Sequence, residues 1–443
     1  MKLNNITISN FRCFSDFSIN LASGASVIIG RNGAGKSSLL KSMLYALGFI
    51  FSKEEALGDE ILAAGNPDID MEPVNTRDFF AKLFNDIPAA NTSIKAKGTY
   101  LGKEIEWEVK QKNDAGARPE VELYAKAYRD FISRFKEKDL LPVLAYFSDS
   151  FPHKHTKLSE FTVTQISNNS DVMRTFGYEQ WNKEPSSSEI WLSRWINAII
   201  RNTQLGDKDP YSKGEANYII RKLIEFSLPV NEDSDDSFVI DTALFNIKED
   251  RELQLWLRMK NGNDILFQNL PAGYHRIYSI ALDICYRHWI LNHNEEVEPE
   301  GVVMIDEVDL HLHPSLAVEI VERLRRTFPK IQFVMTTHSP LVVSNLQTKS
   351  GENKIFRMVI GENKAHDVPD VYGIDYNATL YSVMESSYGN EVISYLKSSI
   401  LRMMRMGRNE QAEKRKQELR SMVSESRYNA IMEEIEQKFK HYR

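Results

Sequence analysis

The stretch SVIIGRNGAGKSS, residues 26–38, decides the fold. An apolar run leads into the pattern G-x-x-x-x-G-K-S, and apolar residues then recur at helical spacing from Leu39 to Leu47. A strand, a glycine-rich loop and a helix in this order predict a phosphate-binding loop whose backbone N–H groups surround one anion. A surface loop that matches by chance is the alternative, and the flanking strand and helix argue against it.

The side chains of this loop suit a nucleotide and its metal ion. Lys36 would reach the β- and γ-phosphates, and the Ser37 hydroxyl would coordinate Mg²⁺. The residues that we expect to line the nucleotide here are Asn32, Gly33, Ala34, Gly35, Lys36, Ser37 and Ser38.

The composition is typical of a globular protein with about two or three domains. The 443 residues are 42% hydrophobic and 26% charged, with a formal net charge of -7. This charge argues against a surface covered by nucleic acid, although a local basic patch is compatible with it. Cys13 and Cys285 are too few for a disulfide framework. With no signal-peptide core and no long apolar run, we expect a cytoplasmic protein without a membrane span.

Two further predicted strands end in chemically active side chains. Residues 301–305 lead into Asp306 and Glu307, and residues 332–337 lead into His338. Carboxyl ends of parallel strands meet at one edge of a sheet, where a phosphate-binding loop also emerges, so we expect these side chains near that loop. An amphipathic helix over 314–328 would make the crossover between the two strands.

The remaining pattern predicts an antiparallel part and a helical part. The antiparallel strands are expected at residues 2–8, 17–21, 92–100 and 105–109, and further strands are expected at 238–241 and 253–259. Residues 140–147 form an apolar block typical of a buried strand. Trp191 and Trp195 lie on one face of a helix predicted over 189–200, where packing is favoured over stacking on nucleic-acid bases.

With these residues the chain resembles the ABC class of ATPases, in the soluble branch that includes RecF, the SMC proteins and the overcoming-lysogenization-defect nucleases. The Walker A loop is residues 30–37 and Walker B is residues 302–307. Asn10-Phe11-Arg12 resembles the N-F-R segment of this branch, which implies that Arg12 approaches the phosphates. The resemblance implies an α/β ABC-type ATPase head, a P-loop NTPase with a mixed central sheet, an antiparallel subdomain, a helical insertion and a helical C-terminal extension.

The same resemblance implies roles for the catalytic residues and makes ATP and Mg²⁺ the expected ligands. Asp306 would hold Mg²⁺ through water, and Glu307 would be the general base that orients the attacking water. His338, in the switch loop 336–340, would contact the γ-phosphate. Together with Lys36, these residues would catalyse phosphoryl transfer by positioning and by neutralising charge.

The signature motif is Leu270-Pro271-Ala272-Gly273-Tyr274, with a helix predicted over 276–292 behind it. It departs from the family, which commonly has Ser at position 271, where the hydroxyl touches the γ-phosphate held by the opposite subunit. Proline fits the first turn of a helix, and the N–H groups of Ala272 and Gly273 would still face that phosphate. The resemblance therefore implies an ATP-sandwich homodimer, or a higher oligomer. Because Pro271 lacks the hydroxyl, we expect this dimer to be weaker or to hydrolyse ATP more slowly.

Two points stay open at this stage. Asp309, His311 and His313 form the D-loop region by resemblance, and a transition-metal site is the rival interpretation. The glutamine that ABC enzymes place between their lobes has no clear counterpart in residues 144–151.

We expect four segments: residues 1–150 as the first part of the head, 151–237 as the helical insertion, 238–390 as the second part and 391–443 as the extension. The extension carries 12 Lys and Arg against 8 Asp and Glu. Its arginines Arg402, Arg405 and Arg408 recur at three-residue spacing, which predicts one helix face. That face is either solvated or docks a partner protein or nucleic acid.

Resemblance to the ATPase components of Septu- and PARIS-like antiphage systems implies a sensor or regulatory subunit that controls a separate nuclease or toxin. A RecF-like DNA-repair ATPase that binds DNA directly is the alternative. A nucleotide-gated scaffold without useful hydrolysis is a third interpretation, because of Pro271.

Overall fold

The computed structural model describes residues 1–51, 89–100, 102–113, 120–122, 140–149, 174–181, 188–205, 210–231, 237–247, 253–384 and 391–440. The chain divides into two compact units, Met1–Ile374 and Asp375–Arg443. The boundary expected at residues 150–151 lies outside the described residues.

The strands all belong to the first unit. They are β1 (Lys2–Phe11), β2 (Phe14–Asn20), β3 (Ala25–Gly30), β4 (Asn91–Tyr100), β5 (Lys103–Lys112), β6 (Glu120–Glu122), β7 (Val143–Phe147), β8 (Ile240–Ile247), β9 (Leu253–Met259), β10 (Asp264–Leu266), β11 (Gly301–Ile305), β12 (Ile331–Thr336), β13 (Asn353–Met358) and β14 (His366–Asp367).

The helices described in this unit are α1 (Lys36–Leu47), α2 (Ser188–Leu205), α3 (Pro210–Ser227), α4 (Ala272–Asn292), α5 (Pro314–Thr327) and α6 (Pro340–Ser344). Short 3₁₀ turns cover Gly48–Phe51, Arg174–Tyr178 and Phe267–Asn269. No helix in the described ranges is both long and apolar enough to cross a membrane.

The central sheet has the order β14-β13-β3-β12-β11-β7 within the described residues. Adjacent strands of this sheet are parallel, except that β14 runs antiparallel to β13. Every residue of β7, β11 and β12 is buried, which explains why their sequences are largely apolar. The buried polar exceptions are Gln332 and Thr336 of β12. This order places β12 between β3 and β11, so the carboxyl ends of these three strands meet at one edge.

A second sheet, antiparallel throughout, has the order β2-β1-β4-β5-β6 in the part of the chain that is described. Leu3, Ile6 and Ile8 of β1 are fully buried, and a β-bulge between Leu3 and Asn5 shifts the register of the strand. The indole of Trp107 in β5 donates a hydrogen bond to the carbonyl of Ala46 in α1 at 2.8 Å. The antiparallel sheet is thereby fixed to the helix that follows the phosphate-binding loop.

The helical insertion belongs to the first unit, and its helices α2 and α3 pack on α4. Trp191 and Trp195 of α2 are 0% exposed, so the prediction that they pack rather than stack on bases is confirmed. The indole of Trp191 donates to Asp283 Oδ2 at 2.7 Å and its ring stacks on Tyr286 of α4. A small sheet of described strands, β10-β9-β8, completes this region, and β8 begins at Ile240, two residues after the predicted start.

The second unit is helical. A turn at Tyr376–Ala378 and a π-helical turn at Thr379–Val383 precede α7 (Glu391–Arg405), α8 (Asn409–Met422) and α9 (Glu425–Lys440). Its buried core consists of Leu396, Ile400, Leu419, Ile431 and Ile435.

The expectation of one helix face for three arginines is wrong. Helix α7 ends at Arg405, and Arg408 is the residue that precedes the first turn of α8. Gly407 between them has a φ of +69°, a left-handed conformation that ends a helix. All three arginines are exposed, but Arg402 and Arg405 lie in the last turn of α7, whereas Arg408 lies beyond the end of that helix.

Candidate functional site

The phosphate-binding loop lies between β3 and α1. Gly35 has a φ of +95°, and a Cβ atom built there would come within 2.7 Å of Cys13 Sγ and Phe14 Cζ. Only glycine therefore fits, and its lack of a side chain lets the turn between β1 and β2 lie against the loop. Arg12 belongs to that turn, with a φ of +50° and its guanidinium over the Phe11 ring.

The ammonium group of Lys36 is turned back onto the loop. Its Nζ donates to the carbonyl oxygens of Gly30 at 2.9 Å and Arg31 at 3.3 Å. Burial lowers the pKa of Lys36, while the negative charges of Asp306 and Glu307 raise it. The charges of Asp306 and Glu307 thus act on the loop lysine.

The other loop residues leave one side open to a ligand. Asn32, Gly33 and Ser37 are exposed, and Ser38 is half-buried. Ala34 is buried, and its N–H donates to Arg31 O at 3.1 Å, which closes the turn. The exposed Ser37 hydroxyl at the first turn of α1 is suitably placed to coordinate a metal ion.

Asp306 and Glu307 directly follow β11. The Asp306 carboxylate is buried and accepts a hydrogen bond from the hydroxyl of Thr336, at the end of β12. The same hydroxyl accepts the N–H of Glu307 at 2.8 Å. Glu307 has a φ of +49°, which is unusual for a residue other than glycine. The neighbouring strand therefore holds the Asp306 carboxylate and the backbone of Glu307.

The switch segment is hydrogen-bonded to β3, which precedes the phosphate-binding loop, and to Asp309, which follows the carboxylate pair. The N–H of Thr337 donates to Ile28 O of β3 at 3.2 Å. Its hydroxyl donates to Asp309 Oδ1 and accepts the N–H of Ser339 at 2.9 Å. His338 lies between these two residues and is exposed, so its imidazole is accessible at the same sheet edge.

The signature helix begins earlier than predicted. Helix α4 starts at Ala272, not at Arg276, and Pro271 is its N-cap residue, with φ -52° and ψ 141°. The prediction that Pro271 lies in the first turn is thus wrong by one position, while Ala272 and Gly273 are the first two helical residues. A Cβ atom at Gly273 would lie 2.6 Å from His311 O, so the helix start packs against the D-loop region.

Arg276 was not among the predicted site residues, yet it connects three segments. One guanidinium nitrogen donates to the carbonyl oxygens of Ser148 and Asp149 at 3.2 and 3.1 Å. The other donates to those of Asp306 and Glu307 at 2.9 and 3.3 Å. Burial lowers the pKa of Arg276, and the nearby carboxylates, Asp149 foremost, raise it. An arginine in a helix is usually exposed, so the sequence carried little signal for this role.

These contacts bear on the two questions that the sequence left open. In residues 144–149, Ser148 and Asp149 present backbone carbonyls to Arg276, and no glutamine is present. His313 Nδ1 pairs with the Ser315 hydroxyl at 2.8 Å as the N-cap of α5. The described part of the chain contains no group of three or more His, Cys, Asp or Glu that could hold a metal ion.

The residues present fit a nucleotide with Mg²⁺. The ammonium group of Lys36 provides a cationic donor for phosphate oxygens. The Ser37 hydroxyl and the Asp306 carboxylate provide two oxygen ligands of the kind that Mg²⁺ prefers. We expect Lys36 to face the phosphates, and Ser37 and Asp306 to face the metal ion.

A family model described as an AAA ATPase domain matches residues 1–343. The chain belongs to this family. Its AAA ATPase domain has the architecture predicted for an ABC-type head: a mixed central sheet, an antiparallel sheet fixed to α1 and a helical insertion.

Curated relatives carry names from bacterial retron and Septu systems. The chain is 24% identical over 392 residues to the Retron Vc95 probable ATPase of Vibrio cholerae serotype O1 biovar El Tor, covering 79% of this chain and 72% of that protein. It is 46% identical over 79 residues to the Septu protein PtuA of Bacillus mycoides (strain KBAB4), which covers 18% of this chain and 11% of that protein.

Among solved structures, the chain is similar to an SMC head bound to the C-winged helix domain of ScpA. The identity is 14%, the TM-score is 0.49, and the alignment covers 83% of this chain and 98% of that chain.

Proposed function

We propose that this protein binds and hydrolyses ATP in a head-to-head dimer. The observation that carries the proposal is the strand order β3-β12-β11, because it brings the phosphate-binding loop, the switch segment and the carboxylate pair to one sheet edge. Ligands bind at that edge in open α/β sheets.

Each residue then has a task in phosphoryl transfer. Lys36 exchanges its loop carbonyls for β- and γ-phosphate oxygens, and the loop N–H groups bind the same anion. Glu307 orients the attacking water and accepts its proton, while His338 contacts the γ-phosphate. Mg²⁺, when bound, neutralises charge on the phosphate oxygens. Ser37 and Asp306 would hold it.

The dimer supplies the remaining donors. At the N-terminus of α4, the N–H groups of Ala272 and Gly273 would face the γ-phosphate bound by the opposite subunit, where the helix dipole also favours negative charge. Pro271 contributes no hydroxyl at that point, so we expect slow turnover.

The variant Glu307→Gln tests hydrolysis and dimerisation together. It removes the base and keeps the loop and the Mg²⁺ site, so phosphate release should fall by at least about a hundredfold while ATP still binds. Sedimentation with Mg–ATP should then show a trapped dimer. Lys36→Ala is the contrast, because it should lose ATP binding. Unchanged phosphate release in Glu307→Gln, or no gain of mass in a variant that is monomeric without ATP, would contradict the proposal.

We further propose that the ATPase is the sensor or regulatory subunit of an antiphage system and controls a separate nuclease or toxin. Support comes from the relatives named for retron and Septu systems, one of which aligns over 79% of this chain. Cells that carry the gene with its neighbours should resist phage and lose resistance with Glu307→Gln. Equal phage titres with and without the gene, together with an adjacent recombination operon, would favour the RecF-like alternative.

A further inference from the structure

Thr336 lies on β12, the strand between β3, which leads into the phosphate-binding loop, and β11, which leads into the carboxylate pair. It is 0% exposed, on a strand that pairs with β3 on one side and β11 on the other. Its hydroxyl donates to Asp306 and accepts from the N–H of Glu307, and its carbonyl accepts from the N–H of Val308 at 3.0 Å. One residue thus holds three consecutive residues that follow β11.

A hydroxyl has a single hydrogen to donate, so its two bonds are directional and mutually dependent. The donated hydrogen fixes which oxygen of the Asp306 carboxylate is turned toward β12, and therefore which oxygen remains for a metal ion. The accepted N–H stabilises the left-handed backbone of Glu307, a conformation that non-glycine residues adopt only when their surroundings enforce it.

We propose that Thr336 is a positioning residue of the ATPase site, whose hydroxyl sets the orientation of the Asp306 carboxylate for Mg²⁺ and the backbone of Glu307 for the attacking water. The inference rests on the proposed function. Groups that hydrogen-bond to a metal ligand commonly change metal affinity or activity when they are removed. Water cannot replace this hydroxyl, because the side chain is fully buried.

Three variants test this assignment. Thr336→Val keeps the shape and removes the hydroxyl, and Thr336→Ser keeps the hydroxyl and removes the methyl group. Thr327→Val is the matched control, since Thr327 is also 0% exposed but its hydroxyl has no hydrogen-bond partner among the residues that the structure describes. The measurements are kcat for ATP, Mn²⁺ affinity in the presence of ATP by electron paramagnetic resonance, and ATP binding in EDTA.

We expect Thr336→Val to lower kcat and weaken Mn²⁺ binding by about 10- to 100-fold each, with unchanged ATP binding in EDTA. Thr336→Ser should return both quantities to within about threefold of the wild type, and Thr327→Val should match the wild type. Wild-type values in Thr336→Val, or a loss in Thr336→Ser as large as in Thr336→Val, would overturn the inference.

Three further results separate a failure of the inference from a failure of the proposed hydrolysis. If Thr336→Val does not fold, Thr336→Ala takes its place against Thr336→Ser, and wild-type Mn²⁺ affinity in the alanine variant would overturn the inference. If the wild type binds Mn²⁺ with ATP but does not hydrolyse ATP, the proposed hydrolysis fails, and a weaker Mn²⁺ affinity in Thr336→Val still supports the role of Thr336. If the wild type hydrolyses ATP and Thr336→Val does so equally well, only the inference fails.

Discussion

At the residue scale, backbone strain is concentrated near the proposed site. Asn10, Arg12, Glu307 and His311 all have φ between +49° and +64°. A non-glycine residue in this region costs about 1–3 kcal/mol, and such residues persist where the surroundings enforce them. Thr336 provides that constraint for Glu307. Most of the described non-glycine residues with positive φ thus lie in the motifs that the sequence identified, while Gln180 and His293 lie outside them.

The signature position gives a prediction at the same scale. Serine can adopt the φ and ψ of Pro271, and its hydroxyl would supply the missing contact to the γ-phosphate of the opposite subunit. We expect Pro271→Ser to raise kcat about tenfold, which corresponds to about 1.4 kcal/mol in the transition state. The measurement is steady-state phosphate release.

The control for this prediction is Pro271→Ala, which removes the ring without adding a hydroxyl. A serine at an N-cap can also bond to its own helix and raise stability by about 1 kcal/mol, so melting temperatures are measured in parallel. Equal kcat in the serine and alanine variants would mean that the hydroxyl does not reach the phosphate.

At the element scale, buried charges join the insertion to the signature helix. Arg194 of α2 and Glu215 of α3 form two hydrogen bonds of 2.7 Å, and both are buried. Burial raises the pKa of Glu215, and the charge of Arg194 opposes this effect. Asp283 and Arg287 form a second buried pair within α4, and Trp191 of α2 donates to the same aspartate. Removing one partner would leave the other charge buried and unpaired, which is costly in free energy. These contacts therefore hold α2, α3 and α4 together.

His288 of α4 makes stability depend on pH. Its Nε2 lies 3.1 Å from Asn294 O, and its Nδ1 lies 3.2 Å from the amide nitrogen of Asn292. The Asn292 amide is oriented by both the N–H and the carbonyl of Leu141, so it donates to Nδ1 and the imidazole is neutral. Burial lowers the pKa of His288 to about 4.

The unfolded chain, in which the pKa of histidine is about 6.5, binds the proton more readily than the folded protein. Acidification from pH 7 to pH 5 should therefore lower the free energy of unfolding by about 2 kcal/mol through this residue, and the loss continues until pH falls through about 4. Chemical denaturation across this range measures the effect.

The variant His288→Gln is the control, because glutamine does not titrate. Its own stability will be lower, so the readout is the slope against pH and not the absolute value. An equal slope in the variant and the wild type between pH 7 and pH 5 would assign the pH dependence to other groups.

At the scale of the whole molecule, every motif of the proposed site belongs to the unit Met1–Ile374. The unit Asp375–Arg443 has its own buried core. We therefore expect a chain truncated after Ile374 to hydrolyse ATP within about twofold of the full rate, while a partner that docks on the second unit no longer co-purifies. An insoluble truncated chain would mean that the second unit completes the core of the first.

The alternative of direct DNA binding has its own test. Charge reversal at Arg402, Arg405 and Arg408 should weaken DNA binding and flatten its salt dependence, because each lost phosphate contact lowers the log–log slope by about 0.9. Reversal at the exposed Arg427 of α9 is the control. Equal slopes in the two variants would remove these three arginines from any DNA contact.

Much of the fold and of the candidate site could be predicted from the sequence. The phosphate-binding loop, the buried strands β7, β11 and β12 and the crossover helix α5 all follow from the spacing of apolar residues and glycines along a short stretch of chain. The same local signals placed Asp306, Glu307 and His338 after strands that end at one edge. Such patterns are readable because the order of apolar and polar residues along one short segment indicates how that segment is buried.

The tertiary structure decided what depends on partners far apart in the sequence. Arg276 reaches the carbonyl of Ser148, 128 positions away, and Thr336 reaches Asp306, 30 positions away. A hydrogen bond needs two groups within about 3 Å of each other, and no periodicity along the chain specifies which distant groups come that close. The sequence by itself therefore determined the parts of the site, while the packing of strands and helices determined which residues hold those parts in place.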